Sequence, residues 1–221
     1  MARAVYFLCL LIAAPLACAQ SPHADVDATA VVTFTLDFPT SQPEHYSIRI
    51  PAEGPAHYES SARLSPDSDD TDSFDFDFTL SAERRSKVFA LAAKAGYFQR
   101  NLNSRQKNLA FTGEKKLSYK GAHVMGEATY NVSSDPAAQE LTSLFQNLSA
   151  TLEFGHRLDY DRRYQKLALD EELKRMQEMA QSNELAELQA IQPILEQIVA
   201  DQSVVKVARA RAQKLLEPAG R

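Results

Sequence analysis

Residues 73–80 read SFDFDFTL, the clearest two-residue alternation in this chain of 221 residues. Phenylalanine or leucine occupies every second position, and serine, aspartate or threonine occupies the positions between them. Because successive side chains of a β-strand point to opposite faces, this pattern predicts a strand with one buried and one solvated face. We expect Phe74, Phe76 and Phe78 to point inward and the aspartates between them to point outward.

Other segments of the chain also have patterns typical of β-strands. Six further segments are predicted strands: 31–38, 46–50, 57–62, 108–111, 116–120 and 124–130. Turns with proline and glycine separate the first three, as expected for short loops between antiparallel strands. In the segment around Leu117 and Tyr119, the alternation places these two residues in the core and Lys116, Ser118 and Lys120 in solvent.

Two segments between and after these strands change to the helical period of 3.6 residues. Ser81 can cap the first helix, whose apolar face ends before Gly96. Asp135 and Pro136 suit the cap and first residue of the second helix, whose apolar stripe ends at Gly155. Strands, helix, strands and helix, with one apolar face on each helix, indicate an α+β fold: an antiparallel sheet with two helices on one face.

After Gly155 the sequence has the helical period alone, which predicts an all-α C-terminal segment. The composition changes at the same point, since residues 20–155 carry 12 basic and 18 acidic residues, whereas residues 156–221 carry 11 of each and no phenylalanine. We therefore predict an α+β domain at 31–155 and a helical segment at 156–218. The domain is long enough for its own core, and we expect it to fold without the segment.

Residues 1–19 have the three parts of a secretory signal peptide. Arg3 supplies the positive start, residues 5–16 are apolar, and Ala17-Cys18-Ala19 supplies the small residues expected before cleavage ahead of Gln20. This apolar run is shorter than the ~20 residues that a membrane-spanning helix needs. The sequence therefore predicts export to the periplasm or the extracellular space.

A second processing route is an alternative. Leu16-Ala17-Cys18 resembles part of the bacterial lipoprotein box, in which Cys18 would carry a lipid anchor. Residues 20–30 are predicted to be a disordered lead-in. No later run of 18 apolar residues occurs, so we predict no transmembrane span in the mature chain.

Charge and cysteine content argue against several functions. A net charge of −5 argues against a nucleic-acid partner. Both cysteines, Cys9 and Cys18, leave with a signal peptide that ends at Ala19, which would exclude thiol catalysis in the mature chain. The sequence also lacks the common hydrolase and phosphate-binding motifs, and we predict no catalytic residues, no cofactor and no bound metal.

Two groups of side chains have metal-binding chemistry. His45 and His57 could face each other across the first hairpin, but a zinc site needs further ligands. The aspartates of loop 65–72 suggest calcium, yet the loop lacks the glycine and the final glutamate of an EF-hand. We predict exposed strand histidines and a solvated acidic loop. The loop aspartates are Asp67, Asp69, Asp70 and Asp72.

Residues 43–50, PEHYSIRI, followed by Gly54, Tyr58 and the later Gly96-Tyr97-Phe98, resemble a family of small uncharacterised exported bacterial domains. That family often has a cysteine-containing turn before the proline, and Thr40-Ser41-Gln42 stands there in this chain. The resemblance covers the predicted α+β domain and implies an exported domain without known catalytic residues. Separately, Ile194–Leu216 resembles the second half of a HEAT-type repeat, with an ordinary helical hairpin as the alternative.

These patterns favour an exported, non-catalytic protein of a bacterial envelope that binds an unidentified protein through its helical segment. The alternative is an exported hydrolase that uses carboxylates or a weakly bound cation. A cleft flanked by two carboxylates of raised pKa would favour the hydrolase. An exposed apolar patch on the helical segment would favour the binding protein.

Overall fold

The computed structural model describes residues 27–63 and 70–217. The predicted signal peptide, the lipidation site and two aspartates of the acidic loop, Asp67 and Asp69, lie outside the described residues. The last part of the predicted lead-in is described. It forms a turn in which the Asp27 carboxylate accepts a hydrogen bond from the Thr29 amide at 2.9 Å, and Ala30 is fully buried.

The strands form one antiparallel sheet, as the sequence predicts, but the sheet has six strands where the sequence predicts seven. The strands are β1 (Val31–Asp37), β2 (His45–Pro51), β3 (Ala56–Arg63), β4 (Thr71–Phe78), β5 (Glu114–Lys120) and β6 (Met125–Tyr130). Their order across the sheet is β4-β3-β2-β1-β5-β6. The strand predicted at 108–111 is wrong, because that segment is irregular and exposed, and Asn108 has a φ of 62° that no β-strand adopts.

The two-residue alternation assigns the faces of the sheet correctly. Leu117 and Tyr119 of β5 are buried, and Phe78 of β4 is buried at 4% exposure. Phe74 and Phe76 also face inward but are only half-buried, since β4 is an edge strand with a neighbour on one side. The aspartates between the phenylalanines are exposed on the opposite face.

Two helices cover the inner face of the sheet. The first, α1 (Ala82–Lys94), begins at Ser81, whose side chain accepts a hydrogen bond from the Arg84 amide. The second, α2 (Pro136–Tyr164), begins at the predicted Asp135 cap. Both helices reach the same face through aromatic contacts: Phe89 of α1 meets Tyr119 with ring centroids 6.3 Å apart, and Phe145 of α2 stacks on Phe34 at 5.1 Å. Tyr119 pairs with Val32 and Phe34 with Leu117, which places these rings on one face.

The predicted end of the second helix at Gly155 is wrong, because α2 continues for nine more residues to Tyr164. Gly155 has a packing role instead. A Cβ atom at this position would lie 2.5 Å from Ile191 Cγ2, too close for any side chain. The glycine that looks like a helix stop is therefore a point of close contact between α2 and Ile191 of the helical segment.

The C-terminal segment is helical, as predicted. It contains α3 (Leu169–Gln181), α4 (Gln192–Ala200) and α5 (Lys206–Leu216), and α4 and α5 form a hairpin. Its hydrophobic residues join those of the sheet in one core. Glu187, 7% exposed, accepts hydrogen bonds from the amide and hydroxyl of Ser81, each at 2.9 Å. Within the described part of the chain, no helix combines the length and the apolar character needed to cross a membrane.

Candidate functional site

A cleft lies between the C-terminal half of α2 and the inner face of strands β3 and β4. The two-residue alternation of β4 aims Phe74 and Phe76 into it, and the helical period of α2 brings Leu152 and His156 to the facing side. The rings of Phe74 and His156 stack at 4.2 Å between centroids with planes 5° apart. Phe74 and His156 line a cavity on either side of the stacked pair, so the pair divides the cleft into two lobes.

The first lobe is mainly apolar and has a volume of 320 Å³. Phe76 of β4 forms one wall, and Ile191, Pro193 and Ile194 of the helical segment form the opposite wall. Gly155 lines the floor, where its missing side chain leaves space beside α2. We refer to this space as the apolar lobe.

The second lobe has a volume of 470 Å³, and we call it the polar lobe because most of its lining residues are polar or charged. Glu153 reaches into it from α2, and its Oε1 atom accepts hydrogen bonds from the Tyr58 hydroxyl at 2.7 Å and from the Ser60 hydroxyl at 2.6 Å. Burial raises the pKa of the Tyr58 phenol well above its ordinary value, and the negative charge of Glu153 raises it further. Tyr58 therefore remains a protonated donor that holds the Glu153 carboxylate in place.

A second carboxylate, Asp161, lines the same polar lobe. Burial raises its pKa, the charge of Glu172 raises it further, and Arg157 opposes both effects. The Arg157 guanidinium is engaged elsewhere, because its Nε donates to Glu172 at 2.5 Å and the group lies 4.7 Å from the centre of the Phe154 ring. The lobe thus contains two groups that are already bonded within the protein, Glu153 and Arg157, beside the carboxylate of Asp161.

Five exposed apolar side chains lie near the point where the Lys166–Asp201 ion pair links the turn after α2 to the turn before α5, and we call this set the tip patch. Its members come from the end of α2, the turn that follows it and the start of α5. They are Tyr160, Tyr164, Leu167, Val205 and Val207, with exposures of 50%, 70%, 85%, 41% and 48%. The Tyr160 and Tyr164 rings contact each other at 5.1 Å. An aliphatic side chain as exposed as Leu167 in a cluster of this kind is typical of an interaction surface.

A partly exposed ion pair links the two turns that carry the tip patch. Lys166 Nζ lies 2.8 Å from Asp201 Oδ2, which joins the turn after α2 to the turn before α5. Hydrogen bonds from Lys166 and from Ser203 lower the pKa of Asp201. Because the carboxylate is held in its charged form, the pair keeps the two turns together at neutral pH.

Sequence reasoning missed Lys115, which is buried on the inner face of β5 at 4% exposure. Its Nζ donates to the carbonyl oxygens of Thr112, Gly113 and Asn131 at 2.8, 3.2 and 2.9 Å. Burial lowers the pKa of Lys115. The alternation that places Leu117 and Tyr119 in the core also places residue 115 inward, so the sequence contained the signal for this buried lysine. These bonds give Lys115 a structural role beside an open polar hollow lined by Tyr130.

The candidate metal ligands do not come together. His45 pairs with Ser61 and His57 with Arg49 in the register of β2 and β3, so the two histidines lie at opposite ends of the hairpin. Each histidine binds an aspartate instead, Asp37 at 2.6 Å and Asp77 at 2.8 Å, respectively. Across residues 27–63 and 70–217, no group of three or more potential metal ligands occurs.

No relative of known role indicates whether the cleft or the tip patch is the functional site. Comparison of the chain with known protein families, with curated proteins and with solved structures gave no significant match.

Proposed function

We propose that the protein is an exported, non-catalytic interaction module that docks a partner protein through the tip patch. This proposal rests on the exposed apolar side chains of the tip patch, of which Leu167 and Tyr164 are the most exposed. Leaving such side chains in water is unfavourable, and burying them against a partner releases that free energy. Aromatic side chains such as Tyr164 are also common anchors of protein interfaces.

The charges around the tip patch indicate the chemistry of the partner. Residues 159–168 and 201–209 together contain five basic and three acidic residues, whereas the whole chain has a net charge of −5. Arg162 and Arg163 share a single carboxylate, that of Asp159. A partner with an apolar centre and an acidic rim fits this surface best, because complementary charge favours encounter and orientation.

Export is the part of the proposal that rests on residues 1–19 alone. Cleavage before Gln20 should leave a mature chain whose first residue N-terminal sequencing identifies. Intact mass measurement separates this outcome from the alternative, because a diacylglyceryl group on Cys18 adds to the mass. A full-length chain retained in the cytoplasm would contradict export by either route.

Paired variants test the docking surface. Leu167→Glu places a charge in the tip patch, and Met125→Glu makes the same change at another exposed apolar residue, on the edge strand β6 at the opposite side of the sheet from β4. The tagged mature protein and both variants are used to capture partners from envelope extract, with quantitative mass spectrometry. We expect one protein to be retained by the wild type and Met125→Glu and lost with Leu167→Glu, and the purified partner should then bind with the same ranking. Equal recovery with both variants would contradict docking at the tip patch.

The alternative function is hydrolysis by the carboxylates of the polar lobe. Asp161, with its raised pKa, is suited to a general acid, and Glu153 is the second carboxylate of the lobe. A catalytic pair of carboxylates must both be free to act on one bond of the substrate. The hydrogen bonds from Tyr58 and Ser60 that already occupy Glu153 favour the interaction module over the hydrolase.

A further inference from the structure

The two edges of the sheet are covered to different degrees. On β6, Gln99 Nε2 donates to the Met125 carbonyl oxygen at 3.0 Å, and Asn103 forms an isolated bridge with Ser133 just beyond the strand. The backbone approaches so closely that a Cβ atom on Gly126 would lie 2.2 Å from the Tyr97 carbonyl oxygen. The segment after α1 therefore covers the β6 edge.

The β4 edge is more open. Among the strands that the structure describes, β4 pairs with β3 alone. The strand has eight residues, TDSFDFDF, and contains neither proline nor lysine, the residues that most often protect an edge from further pairing. An edge strand presents unpaired backbone N–H and C=O groups that can accept another strand.

The side chains of β4 give this edge a specific chemistry. Phe74 and Phe76 face the cleft and are half-buried, so they form one wall of the apolar lobe. Asp75 and Asp77 face the other way, with side-chain exposures of 75% and 70%. His57 is the nearby base, with its ring nitrogens 3.4 Å and 2.8 Å from these two carboxylates. The edge therefore offers an apolar cavity on one face and two carboxylates, two residues apart, on the other.

We propose that β4 binds an extended peptide segment as an additional strand, in which apolar side chains alternate with lysine or arginine. The apolar side chains of such a strand would enter the apolar lobe, whose volume of 320 Å³ has room for them. The basic side chains would lie beside Asp75 and Asp77, because residues two apart on paired strands share a face. Backbone hydrogen bonds supply affinity in this mode of recognition, and the side-chain pocket supplies specificity.

This site adjoins the tip patch, because Asp159 and Arg163, close to Tyr160 and Tyr164 in sequence, also line the apolar lobe, but the chemistry of the two surfaces differs. The tip patch is apolar with a surplus of basic side chains around it, whereas the outer face of β4 carries the exposed carboxylates of Asp75 and Asp77. A basic alternating peptide fits the second surface and is repelled by the first. The two proposals can therefore fail independently, and Leu167→Glu should leave peptide binding at β4 unchanged.

A fluorescent peptide as long as β4, eight residues of alternating valine and lysine, is the probe. Two control peptides are used: alternating valine and glutamate, and the valine–lysine composition arranged as two blocks. Binding to the whole mature protein is measured by fluorescence anisotropy. We expect the alternating basic peptide to bind, and both controls to bind about tenfold more weakly or not at all. Equal binding of the acidic peptide or the block peptide would overturn the proposal, as would no binding of the probe.

Variants of the protein test the position of the peptide. Asp77→Lys reverses a charge beside the proposed strand, and Glu127→Lys makes the same reversal on the other edge strand, β6. Gln197→Trp places a large side chain at the exposed rim of the apolar lobe. We expect the first and third variants to weaken binding about threefold to tenfold and Glu127→Lys to leave it within about twofold.

Hydrogen exchange gives a readout of strand addition itself. The peptide should slow exchange of backbone amides in 71–78 and should leave those in 125–130 unchanged, because only a paired edge gains hydrogen bonds. Protection at α5 or at β6, with none in β4, would overturn the assignment even if the peptide binds. Circular dichroism spectra of the three variants establish that each retains the fold before its affinity is compared.

Discussion

Gly155→Ala tests the contact that joins α2 to the helical segment. In an unobstructed helix interior, replacing glycine with alanine stabilises a protein by about 1 kcal/mol. Here the new Cβ atom would lie 2.5 Å from Ile191 Cγ2 and 3.2 Å from Ile191 Cβ. Ile191 is 4% exposed and branched at Cβ, so it has no flexible end that can move aside.

Overpacking of this kind typically costs about 1–3 kcal/mol, which offsets or exceeds the gain of about 1 kcal/mol in helix propensity. We therefore expect Gly155→Ala to lower the free energy of unfolding by up to about 2 kcal/mol. Urea denaturation followed by circular dichroism measures this change as a shift of the midpoint at constant slope.

Removing the obstruction should reverse the sign of the effect. Ile191→Ala alone should cost about 2–5 kcal/mol through loss of buried apolar volume. In that background, Gly155→Ala should stabilise the protein by about 1 kcal/mol, because the helix propensity then acts without the clash. If Gly155→Ala stabilises the wild-type protein, or if its effect is the same in both backgrounds, the contact with Ile191 does not explain the glycine.

Three further predictions follow from the buried polar groups and the long helix. Lys115→Met should destabilise the protein by about 1–3 kcal/mol in the same urea assay, since three carbonyl oxygens lose their donor. The control Lys116→Met, on the solvated face of the same strand, should change stability by less than about 0.5 kcal/mol. Burial raises the pKa of Tyr130 to about 12, while an unfolded tyrosine ionises near pH ~10. The folded chain then keeps a proton that the unfolded chain releases, so stability should fall as pH rises from ~10 to ~12, and Tyr130→Phe should reduce that slope. In contrast to the expectation from the sequence alone, the single core shared by the sheet and the C-terminal helices predicts that a chain ending at Gly155 aggregates or melts without cooperativity, because the buried Phe154 loses its cover. A cooperative melt would instead support the original expectation that residues 31–155 fold alone.

Local patterns were sufficient for the faces of the strands and the starts of the helices. The direction of a side chain in a strand depends only on its place in the two-residue period, so Leu117 and Tyr119 could be assigned to the core. Ser81 and Asp135 act as caps through bonds to amides three residues away, which the local sequence contains in full. These predictions needed no knowledge of the rest of the chain.

Other positions depended on neighbours that are distant in sequence. Phe74 and Phe76 are only half-buried because β4 lies at an edge of the sheet. The alternation within one strand does not reveal the order of the strands in the sheet. Lys115 was overlooked because an isolated lysine avoids burial, and the carbonyl oxygens that satisfy it are brought together by the fold. Gly155 matches a helix stop by residue type, while its actual neighbour, Ile191, is 36 residues further along the chain.

The sequence by itself therefore determined the class of fold, the sheet with two helices on one face and the helical C-terminal segment, since each depends on short-range periodicity. The tertiary structure alone decided where the tip patch and the cleft are formed. At the tip patch, the ion pair of Lys166 and Asp201, 35 residues apart, links the turn after α2 to the turn before α5. The cleft exists because α2 runs past its predicted end and faces an open edge of the sheet. Both surfaces combine side chains from separate elements, and the packing of those elements is a property of the whole chain rather than of any segment within it.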